Sequence, residues 1–361
     1  MRFARRGLTT TTRRNRITGM MFCVAWLLLL LSATTGWSFT ALYVFGDSLS
    51  DTGNNPATPA QSYYNGRYSN GPLWVEYLSA DLGLPYNASN NFAYAGSTTS
   101  DLATQVAGVT PSTNLPSALF TVESGGNDFL DNALVLGTNN AGWSNAVTAS
   151  VANLTNAVSA LFALGAREIA VGNLANIGQT PAAALFASEP GFASYVDSKV
   201  ALFNALLAAG ITNVMQQNPG LRIYLLDDNA LLTKILSAPA SYGFTVTTVG
   251  ALEDPNLTDK SFNGPGADYV FWDLIHPTTK VNALTAAAAF QSVAVQLNVV
   301  RNGPSVNLAA SNLYPGLPYI IETSTNLSTW SAYETITPTG ATASVTLTNE
   351  PGANVFYRVR Y

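Results

Sequence analysis

The sequence is poor in groups that carry common chemistries. It holds one histidine (His276), one cysteine (Cys23) and few charges, with Asp, Glu, Lys and Arg making up 10% of its 361 residues. One imidazole excludes a histidine-rich metal centre; one thiol excludes an internal disulfide and a cysteine-clustered metal site. Basic residues are scarce beyond the N-terminus: Arg2, Arg5, Arg6, Arg13, Arg14 and Arg16 are six of the sixteen, and no acidic residue precedes Asp47. Behind them runs an unbroken apolar stretch over 20–31, shorter than the roughly 20 residues a membrane-spanning helix needs. Basic segment, apolar run and the small-x-small triplet Gly36-Trp37-Ser38 together predict a secretory signal peptide over residues 1–38. A retained N-terminal anchor is the rival reading, and Phe22 before Cys23 argues against lipoprotein processing. Removal of that segment leaves ten basic residues against all 21 acidic ones, a net charge of −11, and no cysteine. Such a chain has no electrostatic footprint for nucleic acid. The expectation is a secreted, extracellular or periplasmic protein with no stable membrane span after cleavage.

What is present is apolar pattern, with 47% hydrophobic residues. Short continuous apolar runs at 42–45, 119–123, 168–172, 222–227 and 269–271 suit strands buried on both faces of a parallel sheet. Between them the spacing predicts helices over 71–82, 141–164, 191–217 and 278–297. In the third, Val200, Phe203, Leu206, Leu207, Ile211 and Val214 recur at helical spacing, and Asn218-Pro219-Gly220 ends the run. Strand–helix alternation predicts a three-layer α/β/α sandwich with a parallel sheet, with its site at the carboxyl ends of the strands. Arg301-Asn302-Gly303-Pro304 then reads as a linker. The alternating stretches beyond it predict a small all-β, sandwich-like module over 301–361 with few carboxylates and no part in chemistry. The expected organisation is a signal peptide (1–38), an α/β domain (39–300) and this module.

Four segments stand out at strand ends. Gly46-Asp47-Ser48 follows the first strand, where a serine hydroxyl at the mouth of a helix can be exposed and an oxyanion favoured; the bland alternative is a helix N-cap. Asp273 stands three residues before His276 after the last run, so one short turn brings the carboxylate against the imidazole, although a lone histidine is often only structural. Gly125-Gly126-Asn127-Asp128 follows the second run; Asn127 can aim an amide at a reacting centre, or the segment is an ordinary turn. In Ala95-Gly96-Ser97, Gly96 offers a backbone N–H or is a plain loop glycine.

Taken in their order along the chain, the segments resemble the blocks of the GDSL/SGNH hydrolase family. Gly46-Asp47-Ser48-Leu49 with Ser50-Asp51-Thr52-Gly53-Asn54 is similar to the first block. Gly96 falls at the second, Gly125–Asp128 matches the third, and Asp273-Leu274-Ile275-His276-Pro277 the fifth. The match spans about 41–290. Residues 70–77, Gly172-Asn173-Leu174 and Gly178-Gln179-Thr180-Pro181 are similar to the lecithinase/hemolysin-like branch. Ala95 departs from the glycine often found there. The resemblance implies an SGNH (flavodoxin-like) fold and ester hydrolysis without metal or cofactor. It implies Ser48 as nucleophile, His276 as base, Asp273 as its orienting partner, and an oxyanion hole from the N–H groups of Ser48 and Gly96 and the side chain of Asn127. Asp47, Asp51 and Asp128 are expected to brace loops. The substrate class implied is a small-molecule or lipid acyl ester. A carbohydrate O-acetyl esterase is the alternative, with the C-terminal module contacting a glycan or surface; a non-catalytic binding protein on the same scaffold is a more distant one.

Overall fold

Four of the five apolar runs pair in register as a parallel sheet in the spatial order β1 (Leu42–Gly46), β2 (Leu119–Glu123), β3 (Glu168–Gly172), β4 (Arg222–Leu226). The computed structural model describes residues 39–360 apart from positions 60, 187–188, 303–304, 312, 314–317, 327–328, 341 and 349–354. The signal-peptide expectation for 1–38 therefore lies outside the described residues. The helices are α1 (Trp74–Asp81), α2 (Leu102–Ala107), α3 (Gly126–Leu136), α4 (Asn140–Leu164), α5 (Phe192–Gln217), α6 (Asp228–Ser237) and α7 (Thr279–Ala294).

Successive strand residues point to opposite faces, and each face has its own core. Phe45, Phe120, Val122, Ile169 and Val171 pack with α2, α4 and α5. Leu42, Val44, Leu119, Ala170 and Leu226 pack with α1 and α7. This is the expected three-layer sandwich. Each large side chain so withdrawn from water contributes roughly 1.5–3 kcal/mol. By length and composition α4 and α5 could cross a membrane, yet their apolar stripes, including Val147, Leu154, Val200 and Leu207, lie in the sheet core. Of the stripe anticipated for α5, only Leu206 is exposed.

The fifth run does not join the sheet. Residues 269–271 make only isolated bridges, Tyr269 to Val246 and Phe271 to Pro277. Their backbone groups are engaged locally: Val270 N donates to Val246 O, Thr278 N to Val270 O, and Ala251 N to Phe271 O. Those groups are committed inside a folded loop and are not offered to the ladder.

The linker expectation is also corrected. One residue, Val295, separates α7 from β5 (Gln296–Asn302), which pairs antiparallel with β6 (Ser305–Ser311), so Arg301 and Asn302 end a hairpin strand. Antiparallel sheets β5-β6-β9 and β10-β7-β8 follow, using β7 (Tyr319–Ser324), β8 (Ser331–Ile336), β9 (Thr342–Thr348) and β10 (Phe356–Arg360). Val306, Leu308, Ile321, Val345 and Leu347 from both sheets share one core. The alternation along β6 of half-buried and buried positions is that of a strand with one face inward.

Candidate active site

The site is assembled at the carboxyl end of β1. Gly46 has φ +149, and a Cβ there would lie 2.0 Å from the Glu123 carbonyl oxygen, so the position admits only glycine. The buried Gln105 amide clamps it as a strand partner would: Gly46 N donates to Oε1 (2.9 Å) and Nε2 donates to Gly46 O (2.8 Å). The chain then makes one turn, in which Ser50 N and Asp51 N both donate to Asp47 O, and leaves it without entering a helix. Ser48 therefore caps no helix, and the helix mouth anticipated behind it is absent. The helix whose N-terminal turn reaches the cleft is α3, which carries Asn127 as its second residue.

The Asp–His loop meets Ser48 across 228 residues of sequence. His276 Nε2 lies 2.8 Å from Ser48 Oγ, and His276 Nδ1 lies 2.7 Å from Asp273 Oδ2. Asp273 Oδ1 accepts from the backbone N–H groups of Ile275 (2.9 Å) and His276 (2.7 Å), and Oδ2 also accepts from the Tyr63 hydroxyl (2.7 Å). Burial pushes the Asp273 carboxyl up. The His276 hydrogen bond and charge, with the two backbone donors, outweigh that and hold it at about 2. An ionised Asp273 can only accept, so the imidazole proton sits on Nδ1 and Nε2 turns its lone pair to the serine hydroxyl. The Tyr68 ring packs on His276 with centroids 4.8 Å apart.

Ser48, Gly96, Asn127 and His276 line one cleft of about 390 Å³. Ser97 N donates to Tyr94 O and closes a turn whose third residue, Gly96, has φ +89, a conformation that glycine adopts without strain. Residues 91–94 run beside β1, Phe92 N donating to Val44 O and Tyr94 N to Gly46 O. The Ala95 N–H is taken by Asp51 Oδ2 (2.8 Å), which leaves Gly96 as the donor this loop can offer. One Asn127 amide hydrogen goes to Ser97 O (2.8 Å), and an amide has a second. Asp51 further accepts from Gly53, Asn54 and Asn55, while Asp128 accepts from Thr99 and Ser150. Both therefore brace loops.

A different set of carboxylates lies under the strand ends. Burial raises Asp47 to about 6, against the Leu49 backbone bond and His276, which lower it. Burial, then repulsion from Asp227, raises Asp228 to about 7. Burial, followed by repulsion from Asp47 and Asp228, pushes Glu123 well up, and its Oε2 has no hydrogen-bond partner. Among the described residues no cluster of His, Cys, Asp and Glu is placed to hold a metal ion.

Sequence reading missed Tyr63, Tyr68 and Gln105. The only sign of Gln105 is a glutamine on the inward face of α2, between Leu102 and Val106. Tyr63 and Tyr68 sit in a tyrosine-rich loop with no period of its own. That loop clasps the Asp–His segment: Trp272 Nε1 donates to Ser62 O (2.7 Å), Ser69 Oγ to Pro277 O (2.9 Å) and Thr279 N to Asn70 Oδ1 (2.8 Å).

The chain is similar to several known proteins. A GDSL esterase/lipase of Arabidopsis thaliana is 27% identical over 323 residues, covering 72% of this chain and 84% of that protein. The thermolabile hemolysin of Vibrio parahaemolyticus is 26% identical over 281 residues, covering 68% of this chain and 62% of its own. Among solved structures, an acetylxylan esterase from Geobacillus stearothermophilus superposes with a TM-score of 0.42 at 14% identity, over 72% of this chain and 97% of that one. The model of the GDSL-like lipase/acylhydrolase family matches residues 42–289, and the chain belongs to that family of ester hydrolases.

Proposed function

We propose that the chain is a secreted serine hydrolase of carboxylic acyl esters in which Ser48 is the nucleophile, His276 the general base and acid, and Asp273 the group that orients His276. The observation that carries this reading is the continuous run of hydrogen bonds from Asp273 through His276 to Ser48, at 2.7 and 2.8 Å. Ser48 Oγ attacks the ester carbonyl carbon as its proton passes to Nε2. The carbonyl oxygen becomes an oxyanion, held by the N–H groups of Ser48 and Gly96 and by the free Asn127 amide hydrogen. Donors of this kind contribute about 3–4 kcal/mol each. The carbon–oxygen bond to the leaving alcohol then breaks, and Nε2 returns the proton to that alcohol. Water, deprotonated by His276, attacks the acyl-serine, and the acid leaves as Ser48 recovers its proton. Secretion rests on the pattern of residues 1–38, and the C-terminal β-sandwich is an appendage outside the reaction.

The test is hydrolysis of p-nitrophenyl esters, phospholipids and acetylated glycans by the wild type, Ser48→Ala and His276→Ala. Each variant should lose all activity above background while melting as the wild type does. A folded Ser48→Ala protein that still turns over esters would sink the mechanism.

A further inference from the structure

Beside the Ser48 cleft lies a second hollow, of about 130 Å³, that the steps above do not use. Leu231, Leu232 and Ile235 of α6 form one wall, with Phe271 and Val281 opposite. Leu49, Gly126 and Ile275 line both this hollow and the cleft, so the two abut beside the neighbours of Ser48 and His276 in sequence. Glu123 and Asp228 also border it, both pushed up by burial, and the uncharged polar side chains along it are bonded to the protein. Thr285 Oγ1 donates to Val281 O and Thr180 Oγ1 to Ile177 O, while Asn282 Oδ1 accepts from Trp74 N and its Nδ2 donates to Thr278 O. Asn173 is bonded to Asp227 and to Asn229 N.

We propose that this hollow receives the acyl chain, so that the enzyme takes esters of uncharged, medium-length fatty acids of about six carbons in preference to acetyl esters. The proposal rests on the serine-hydrolase reading above and adds the substrate class. An apolar cavity near 150 Å³ holds a six-carbon ring, which sets the chain length. An acetyl group would leave the hollow empty. A sugar or lipid headgroup as leaving alcohol would meet mainly aliphatic and aromatic side chains there, with only the Glu123 and Asp228 carboxyls to pair its several hydroxyl groups, and burying most of them unpaired is unfavourable. The alcohol therefore stays in the open cleft, where it can diffuse away, while the chain that remains attached to Ser48 sits in the hollow.

The experiment measures kcat/KM on p-nitrophenyl acetate, butyrate, hexanoate and octanoate for the wild type, Leu232→Phe and Thr285→Leu, the last two chosen to fill the space from opposite helices. The wild type should favour hexanoate over acetate at least tenfold. Each filled variant that melts cooperatively should lower that ratio at least fivefold. A wild type that prefers acetate overturns the proposal, as does an unchanged ratio in the folded variants. So would variants that respond to alcohol length across a series of alkyl acetates and not to acyl length. Ser48→Ala run on the same esters separates the two readings: its activity would indict the nucleophile, whereas a dead Ser48→Ala beside an acetate-preferring wild type would indict only the pocket.

Discussion

Buried carboxylates flank Ser48 on two sides, and the protein treats the two sets oppositely. On the Asp–His side, Asp273 accepts from the Tyr63 hydroxyl, the His276 ring and two backbone N–H groups and is held ionised, at about 2. Under the strand ends, Glu123 has an oxygen with no partner at all, and Asp47 and Asp228 are raised to about 6 and 7. Asp47, Glu123 and Asp273 are all buried carboxyl groups, so burial alone does not decide the charge. The count of donors does: several aimed at one carboxylate outweigh its desolvation, and one or none leaves the carboxyl holding its proton more tightly than usual. A charge is kept where an imidazolium must be stabilised and is disfavoured at Glu123 and Asp228, which border the apolar hollow.

The harshest test of this contrast is Asp273→Asn. The amide keeps the shape but favours the wrong imidazole tautomer, and kcat should fall about 10⁴-fold; a loss under tenfold would mean that the donors around Asp273, not its charge, organise the site. The second test is the pH dependence of stability. Asp47, Asp228 and Glu123 bind protons more tightly in the native state than unfolded, so stability falls as pH rises from near 4 through 7. Asp273 has the opposite sign: its contribution is complete above the ordinary carboxyl range and is lost as pH drops towards 2. Asp228→Asn should therefore stabilise the protein at pH 8 by on the order of 2–4 kcal/mol and much less at pH 4, read by urea unfolding. An equal shift at both pH values would refute a raised Asp228. The smallest effect is expected from Tyr63→Phe, about a three- to tenfold loss in kcat, the size of one ordinary hydrogen bond of about 1 kcal/mol, since three other donors still hold Asp273. With one donor gone, Asp273 pulls harder on the imidazolium, so the acid limb of the kcat/KM profile should move to higher pH. An unmoved limb would limit Tyr63 to packing.

How much of this could be read from the residues depended on how local the cause was. β2 and β3 were legible because strands buried on both faces become continuous apolar runs, and α4 because its apolar positions repeat over 25 residues. Residues 269–271 have the same texture and misled, since what decides sheet membership is whether flanking segments take the backbone groups first. The helix α6 passed unnoticed, although Asp227 caps it by accepting from Ala230 N and Leu231, Leu232 and Ile235 mark its inner face. Ser48, Asp273 and His276 stood out through short motifs and the scarcity of histidine. Tyr63 could not, because its partner is 210 residues away and a tyrosine in a loop carries no pattern.

The clasp between residues 62–70 and the Asp–His loop has a kinetic consequence. Every bond in it joins segments some two hundred positions apart, and loop closure over such distances is slow relative to helix formation and local hairpins. An emerging or refolding chain should therefore acquire its helices and much of its sheet before His276 is drawn against Ser48. Regained hydrolysis should trail the far-ultraviolet circular dichroism signal during refolding, and simultaneous recovery of the two would place the clasp early in folding.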